Sequence, residues 1–313
     1  MLDIKFIREN LDLVKAAAKK KRITVDVEKL IAVDDARRAL MTTVEGARAE
    51  QNKVSERMPS ADPATKEKLL TEMRALKEIL VADEKKLEET DREWQRLMVQ
   101  VPNVPDVSVP DGDSDADNKE VKTWPARGDG RGGEKTRFPF KAKDHIELME
   151  QLGMADFERG TKVAGFRGYF LTGDGALLSF AVWQYAQKFF LGKGFVPMIV
   201  PSLLRRVNFL GTGYIPQSEE DLYKTQDDDY LAGTAEVGTM GYHMGDTLEV
   251  NDLPVKYLSF SPCFRREAGS HGKDVKGLIR VHEFYKWEQV ILCEASHEES
   301  VRWHEWLNRN TEE

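Results

Sequence analysis

Charged and aromatic side chains crowd two neighbouring segments, Cys263-Phe264-Arg265-Arg266-Glu267-Ala268-Gly269-Ser270 and Gly277-Leu278-Ile279-Arg280-Val281-His282-Glu283-Phe284-Tyr285-Lys286-Trp287-Glu288. They read as a strand, a glycine-containing loop and a second strand. Alternation along an extended chain puts Arg280, His282 and Phe284 on one face, which Lys286 and Glu288 continue. A face of two cations, a ring and a carboxylate is a poor core face. Two readings stay open: a charged cleft that neutralises and orients a ligand, or a solvated sheet surface with cross-strand ion pairs.

Upstream, Leu231-Ala232-Gly233-Thr234-Ala235-Glu236-Val237 reads as a helix start, with Thr234 as cap and Glu236 in the first turn. A helical stretch from Ala176 to Phe190 runs into Gly194-Phe195-Val196-Pro197-Met198-Ile199-Val200-Pro201, a turn, a strand and a proline. Proline cannot donate to a ladder, so this is an edge or interface strand. Neither GxxxxGK[ST] nor a Rossmann GxGxxG after a strand occurs, and Gly128-Asp129-Gly130-Arg131-Gly132-Gly133 reads as a flexible turn. His271, His282, His297 and His304 lack metal-ligand spacing, so no metal ligands are assigned.

The elements that position these groups divide in two. Before residue 100 the only glycine is Gly46, and a short helix is expected around residues 3–20. Leu30, Val33, Arg37, Leu40, Val44, Ala47, Gln51, Val54 and Met58 then alternate in steps of three and four. Leu69, Met73, Leu76, Leu80, Asp83, Leu87, Thr90, Trp94 and Leu97 repeat the pattern. Such stripes face a partner helix, and Pro59-Ser60-Ala61-Asp62-Pro63 between them suits a hairpin turn. The polar seam positions favour an antiparallel two-helix coiled-coil arm, each helix about 45 Å long at 1.5 Å per residue. After Val101-Pro102-Asn103-Val104-Pro105 and the acidic 111–117 stretch, glycines multiply. Short β-rich runs appear at Tyr169–Thr172, Val196–Val200, Tyr257–Phe260 and Gln289–Leu292. The expected organisation is a helical arm over residues 1–100, a linker over 101–135 and an α+β domain over 136–313 with a largely antiparallel β-sheet flanked by helices.

The chain has 313 residues, 41% hydrophobic and 32% charged, with a net charge of −8. It is no polycation, although a local basic surface is compatible with that balance. Cys263 and Cys293 form no CxxC pair, no signal-peptide pattern opens the chain, and no run reaches the ~18 apolar residues of a membrane span. A reducing, cytoplasmic setting is expected.

Taken together and in order, these motifs resemble the bacterial seryl-tRNA synthetases, class II aminoacyl-tRNA synthetases. Phe264–Ser270 with Gly277–Phe284 is similar to motif 2 and the segment ending at Pro201 to motif 1. Gly233–Val237 is similar to the serine-binding segment, and the hairpin with Val101–Pro105 to the tRNA-binding arm and linker. The resemblance implies a serine–tRNA ligase that makes seryl-adenylate from L-serine and ATP and transfers the seryl group to tRNA(Ser), with tRNA(Sec) a second candidate. It implies that Arg265 bridges the α-phosphate and the serine carboxylate, as a planar five-donor guanidinium can. Glu267 meets the adenine amino group or the ATP-bound metal region; Arg266 belongs to the nucleotide-binding set. Arg280 supports the phosphates, Val281 meets adenine through its backbone, and Phe284 stacks on the ring. Thr234, Ala235, Glu236 and Glu288 surround serine, with Glu288 pairing its ammonium. Mg2+ is implied as the phosphate counter-ion, and a homodimer through the segment near Pro201. Lys53, Arg57, Lys66, Lys68 and Arg74, near the hairpin tip, are expected to meet tRNA phosphates. Family members continue for about a hundred residues into motif 3, which is not among these residues, so weak nucleotide binding without adenylate formation is expected of this stretch alone. The alternative is a catalytically inactive synthetase-like tRNA-binding or regulatory protein.

Overall fold

In a computed structural model the described residues are 2–122, 138–268, 272 and 276–313. The expectations for Gly128–Gly133, His271, Gly269 and Ser270 fall outside them. The chain divides into two units, Met1–Val121 and Lys122–Glu313.

The first unit is helical. The helix expected around 3–20 is two: α1 (Ile4–Glu9), capped by Asp3, and α2 (Leu11–Lys20). Asn10 breaks them, leaving helical geometry at φ −130° and ψ 42° while its side-chain amide donates to the Phe6 carbonyl; short polar side chains compete for the backbone in this way. Asp26 caps α3 (Val27–Arg57) and Asp62 caps α4 (Pro63–Met98), where Pro63 loses nothing because the first helical N–H has no partner. Leu30, Val44 and Val54 of α3 and Leu69, Leu80 and Leu97 of α4 are buried, all positions of the two stripes. Polar pairs also cross between the helices, one of them from the seam position Arg37, whereas Asp83 pairs within α4, with Lys86 at 2.9 Å. Arg37 Nε donates to Asp91 Oδ1 at 2.6 Å with its guanidinium 4.5 Å from the Trp94 ring, and Arg48 pairs with Glu84 at 2.7 Å.

At the other end from the hairpin turn, Ile7, Val14, Val27, Leu30, Leu97, Met98 and Val101 form one core. Beside it Asp34, 2% exposed, accepts from Arg8 Nε and Nη2 at 2.9 and 2.6 Å. The acidic stretch packs within this unit: Lys20 donates to the Val109 carbonyl at 2.6 Å, and Arg22 pairs with Asp113.

The second unit opens with α5 (His145–Gln151), then β1 (Ala155–Asp156), α6 (Phe157–Ala164) and β2 (Phe170–Leu171), where β1 and β2 pair antiparallel. Next come α7 (Asp174–Gly192), β3 (Val196–Ile199), β4 (Leu203–Arg205), α8 (Arg206–Gly211), β5 (Tyr223–Lys224), β6 (Asp229–Leu231) and α9 (Ala235–Tyr242). The last elements are β7 (Val255–Phe264), β8 (Glu283–Leu292) and α10 (His297–Glu312). One sheet runs β3-β7-β8, another β4-β6-β5. Every pairing is antiparallel except β3 with β7. Pro197 sits in β3, an edge of its sheet, where a missing N–H is tolerated.

Register sorts the β7-β8 ribbon into two faces. Ser259, Ser261 and Cys263 lie opposite Glu288, Lys286 and Phe284 on one of them. On the other, Trp183 of α7 packs edge-on to Phe260 and accepts at its carbonyl from Trp287 Nε1 at 3.2 Å. The first face is roofed by α9, whose Thr239 Oγ1 lies 2.7 Å from Ser259 Oγ. Gly238 permits this approach, since a Cβ there would stand 2.3 Å from Val200 Cγ1.

The second strand is shorter than the alternation suggested. Arg280, Val281 and His282 precede β8, which starts at Glu283. The cause is the partner. β7 ends at Phe264, and the following backbone turns away, with Arg266 N–H donating to the Asp221 carbonyl and Ala268 N–H to Asp221 Oδ1. Glu267 (φ 55°) and Gly277 (φ 78°) are left-handed, so neither flank of the loop continues the ladder.

Candidate active site

Two main-chain junctions and one capping side chain assemble the site. Ala232 N–H donates to the Ser202 carbonyl and Phe264 N–H to the Ala232 carbonyl, at 2.8 and 2.9 Å, which seats the turn after β6 against the end of β7. Thr234 follows and caps α9, its hydroxyl accepting from the Glu236 N–H at 3.3 Å. The same hydroxyl donates to Glu288 Oε2 at 2.5 Å, and Lys286 Nζ lies 3.4 Å from that oxygen. Thr234 is buried, and Ala235 is covered at the first helical position, where only its backbone is on offer.

Glu236 is solvent-accessible, yet enough protein surrounds its carboxyl that desolvation pushes it up, the Glu288 charge adds to this, and Lys286 partly offsets it. Burial also raises the Tyr214 phenol, reinforced by Glu236 and opposed by Arg265, and it raises the Cys263 thiol. Two carboxylates, an ammonium, a phenol and a thiol thus gather in one partly buried recess. Tyr214 was missed by sequence reasoning, because it sits in no motif and arrives through the Phe209–Ile215 core cluster.

Arg265 forms the wall next to this recess. Its guanidinium carbon stands 5.4 Å from the Phe284 ring centroid, a cation–π distance. It lies across Gly233, where a Cβ would come within 3.1 Å of Arg265 Cγ and 3.2 Å of Nε. Glu267 Oε2 and Arg280 Nη1 pair at 2.5 Å at the loop base. Val281 is buried between them and β8. Arg266 points elsewhere: its Nη1 donates to the Glu220 carbonyl at 3.2 Å. His145, on α5, was also missed; its Nε2 accepts from the Leu278 N–H at 3.2 Å and anchors the loop exit.

Thr234, Glu236, Glu288, Arg265 and Phe284 therefore come together, with Glu267 and Arg280 adjoining at the loop base. A recess of carboxylates beside a guanidinium over a partly exposed ring can take a small amine with one end and an anion with a planar base with the other. Among the described residues no group of three or more His, Cys, Asp or Glu is arranged around a common metal position.

Residues 1–105 match the seryl-tRNA synthetase N-terminal domain, and residues 221–306 match the tRNA synthetase class II core domain (G, H, P, S and T). A serine–tRNA ligase of Deinococcus radiodurans is 41% identical over 313 residues, covering 100% of this chain and 72% of that ligase. The chain belongs to the seryl-tRNA synthetase family. Its members are ATP-dependent serine–tRNA ligases. The ligase of Thermodesulfovibrio yellowstonii is 39% identical over 321 residues, covering 100% of this chain and 73% of that protein. A solved seryl-tRNA synthetase of Pyrococcus horikoshii complexed with ATP superposes with a TM-score of 0.79 at 34% identity, over 100% of this chain and 73% of its own. A cytoplasmic serine–tRNA ligase of Naegleria fowleri in complex with AMP gives 0.76 at 27% identity, over 100% and 71%. The α+β architecture, helical arm plus antiparallel-rich sheet, is that of the family. No described helix is long and apolar enough to cross a membrane.

Proposed function

We propose that the recess between α9 and β8 binds L-serine and that the Arg265–Phe284 wall binds ATP, so that the two react in place. The observation that carries this is the adjacency of Thr234, Glu236 and Glu288 to Arg265, a carboxylate pocket beside a guanidinium. Glu288 pairs the serine ammonium, with Thr234, Glu236 and the backbone of Ala235 around it. Arg265 bridges the serine carboxylate and the α-phosphate. A carboxylate oxygen attacks the α-phosphorus, and pyrophosphate leaves, giving seryl-adenylate; the tRNA 3′-terminal ribose hydroxyl then attacks the seryl carbonyl, and AMP leaves with the mixed-anhydride oxygen. Such transfer depends on alignment and charge neutralisation, which these side chains supply. Phe284 stacks on adenine, the Val281 backbone meets its edge, Arg280 supports the phosphates, and Glu267 meets the amino group. Arg266, held at the Glu220 carbonyl, braces the loop. Mg2+ enters with the nucleotide as counter-ion, since its usual ligands are substrate phosphates and water with few carboxylates.

The partners follow from the same reading: tRNA(Ser), with tRNA(Sec) as the further candidate, on the helical arm. A second copy docks on the segment ending at Pro201. In support, Leu177, Phe180, Val182 and Tyr185 on α7 and Ile199 on β3 are exposed, Ile199 at 88%, an apolar patch of the kind that marks interfaces. The setting is the cytoplasm. Calorimetric titration with a non-hydrolysable seryl-adenylate analogue tests the site. Binding that discriminates strongly against the alanyl analogue is expected, because a site built for a hydroxyl leaves its polar atoms unpaired without one. Equal binding of the two would refute the serine assignment.

A further inference from the structure

We infer that His282 is a positioning residue that fixes Arg265 through two reciprocal hydrogen bonds, a step that deepens the reading of the site proposed above and rests on it for its consequence. The ladder between β7 and β8 closes at Phe264 and Glu283. One step further, the Arg265 N–H donates to the His282 carbonyl at 2.9 Å. The His282 ring answers, with Nδ1 2.9 Å from the Arg265 carbonyl oxygen. A carbonyl only accepts, so Nδ1 carries the proton, and neutral His282 is the Nδ1–H tautomer. The ring is wedged by edge-on contacts from Phe166 and Tyr223, at centroid distances of 6.3 and 6.4 Å.

This matters because Arg265 stands where the chain leaves the sheet. From Arg266 onward the backbone follows Asp221, so beyond the single main-chain rung to His282 no further strand pairing holds Arg265. The two bonds to His282 replace that pairing and aim the guanidinium over Phe284. Without the ring donor the Arg265 carbonyl is released, and its peptide can rotate. Displacements of about 1 Å at a reacting centre cost up to about a hundredfold.

The test uses H282N, H282Q and H282L in the full chain. Asparagine keeps an N–H close to the Nδ1 position; glutamine moves it to the Nε2 position; leucine removes it. Two ligand-free readings come first: the tautomer by nitrogen NMR, and the order of the Arg265 Nε–H by relaxation. An Nδ1–H tautomer is expected, with Arg265 ordered in the unaltered chain and H282N and mobile in H282Q and H282L. An Nε2–H tautomer, or equal Arg265 order in all four, overturns the inference. Calorimetry follows. The seryl-adenylate analogue should weaken about tenfold to a hundredfold in H282Q and H282L and within about threefold in H282N, while adenosine, which offers Arg265 neither phosphate nor carboxylate, should stay within about threefold throughout. Equal losses for adenosine and the analogue make His282 merely structural and overturn it. If the unaltered chain ignores the analogue while Arg265 order still follows the ring donor, the serine-activation reading fails and the positioning of Arg265 stands.

Discussion

The Thr234 hydroxyl donates to Glu288 Oε2 at 2.5 Å while accepting from the Glu236 N–H at 3.3 Å. One side chain thus caps α9 and ties it to the middle of β8. Thr234→Ala removes the cap and takes one hydrogen bond from a partly buried carboxylate oxygen that keeps Lys286 nearby. Cap loss costs about 1 kcal/mol and a lost hydrogen bond to a charged group about 1–3 kcal/mol. Denaturant unfolding should show a combined loss of about 2–4 kcal/mol. Thr234→Ser keeps both bonds and should lose only about 1 kcal/mol for the methyl group. Equal losses for the two variants would show that the methyl, not the hydroxyl, matters.

The raised Glu236 carboxyl has a pH signature of fixed sign. Its folded pKa lies above the ordinary 4.5, so the folded chain binds a proton that the unfolded chain has released. Stability contributed by this group is therefore present below 4.5 and falls as pH rises through the window up to the folded value. Glu236→Gln should flatten stability against pH across that window. A stability curve of unchanged slope in the variant would assign the dependence to another group.

The sequence made the arm legible because a period of three and four survives wherever helices pair. Even Arg37 and Asp83 could be placed on the seam, although their partners could not. Thr234 as cap was legible for the same local reason. Four features were not. Asn10 splits one helix through a side-chain bond that no periodicity reports. The start of β8 at Glu283 depends on where β7 ends, which the alternation from Arg280 onward cannot sense. Tyr214 and His145 reach the site by tertiary packing alone, and the parallel pairing of β3 with β7 looks the same in sequence as an antiparallel one.

Arg8 neutralises Asp34, which is 2% exposed beside the core of the first unit. Removing one partner of a buried pair strands the other charge and costs about 3–5 kcal/mol. Arg8→Met should therefore lower the urea midpoint of the helical signal in circular dichroism substantially. Adding Asp34→Asn should recover part of the loss, since the stranded charge is then gone. A double variant no more stable than the single one would locate the loss in packing of the Arg8 stem.

The arm reading predicts a salt signature. Lys53, Arg57, Lys66, Lys68 and Arg74 are all exposed around the hairpin turn. Each that meets a tRNA phosphate should, on replacement by alanine, reduce the slope of log affinity against log salt by about 1. Filter binding of tRNA(Ser) across a salt series measures this. Arm helicity should stay unchanged, because solvated helix charges are worth little in stability. Alanine variants that leave both affinity and slope untouched would remove those side chains from the tRNA interface.

Gly233 supplies the last test, because it separates space from chemistry. A Cβ there would stand 3.1 Å from Arg265 Cγ, 3.2 Å from its Nε and 3.2 Å from the Phe264 carbonyl oxygen. Gly233→Ala introduces no charge and removes no hydrogen bond, and it strains no left-handed backbone. Its main effect is to push the Arg265 stem, which yields by rotating away from Phe284, while the Phe264 carbonyl at 3.2 Å needs to shift by only a few tenths of an ångström. The variant should fold with nearly unchanged stability and bind the seryl-adenylate analogue about ten times more weakly, the usual scale of loss when a positioned group is displaced by a fraction of an ångström. Arg265→Ala in the same background should then add little further loss, because the guanidinium has already left its place. Full additivity of the two losses would show that Gly233 acts on the site through something other than Arg265.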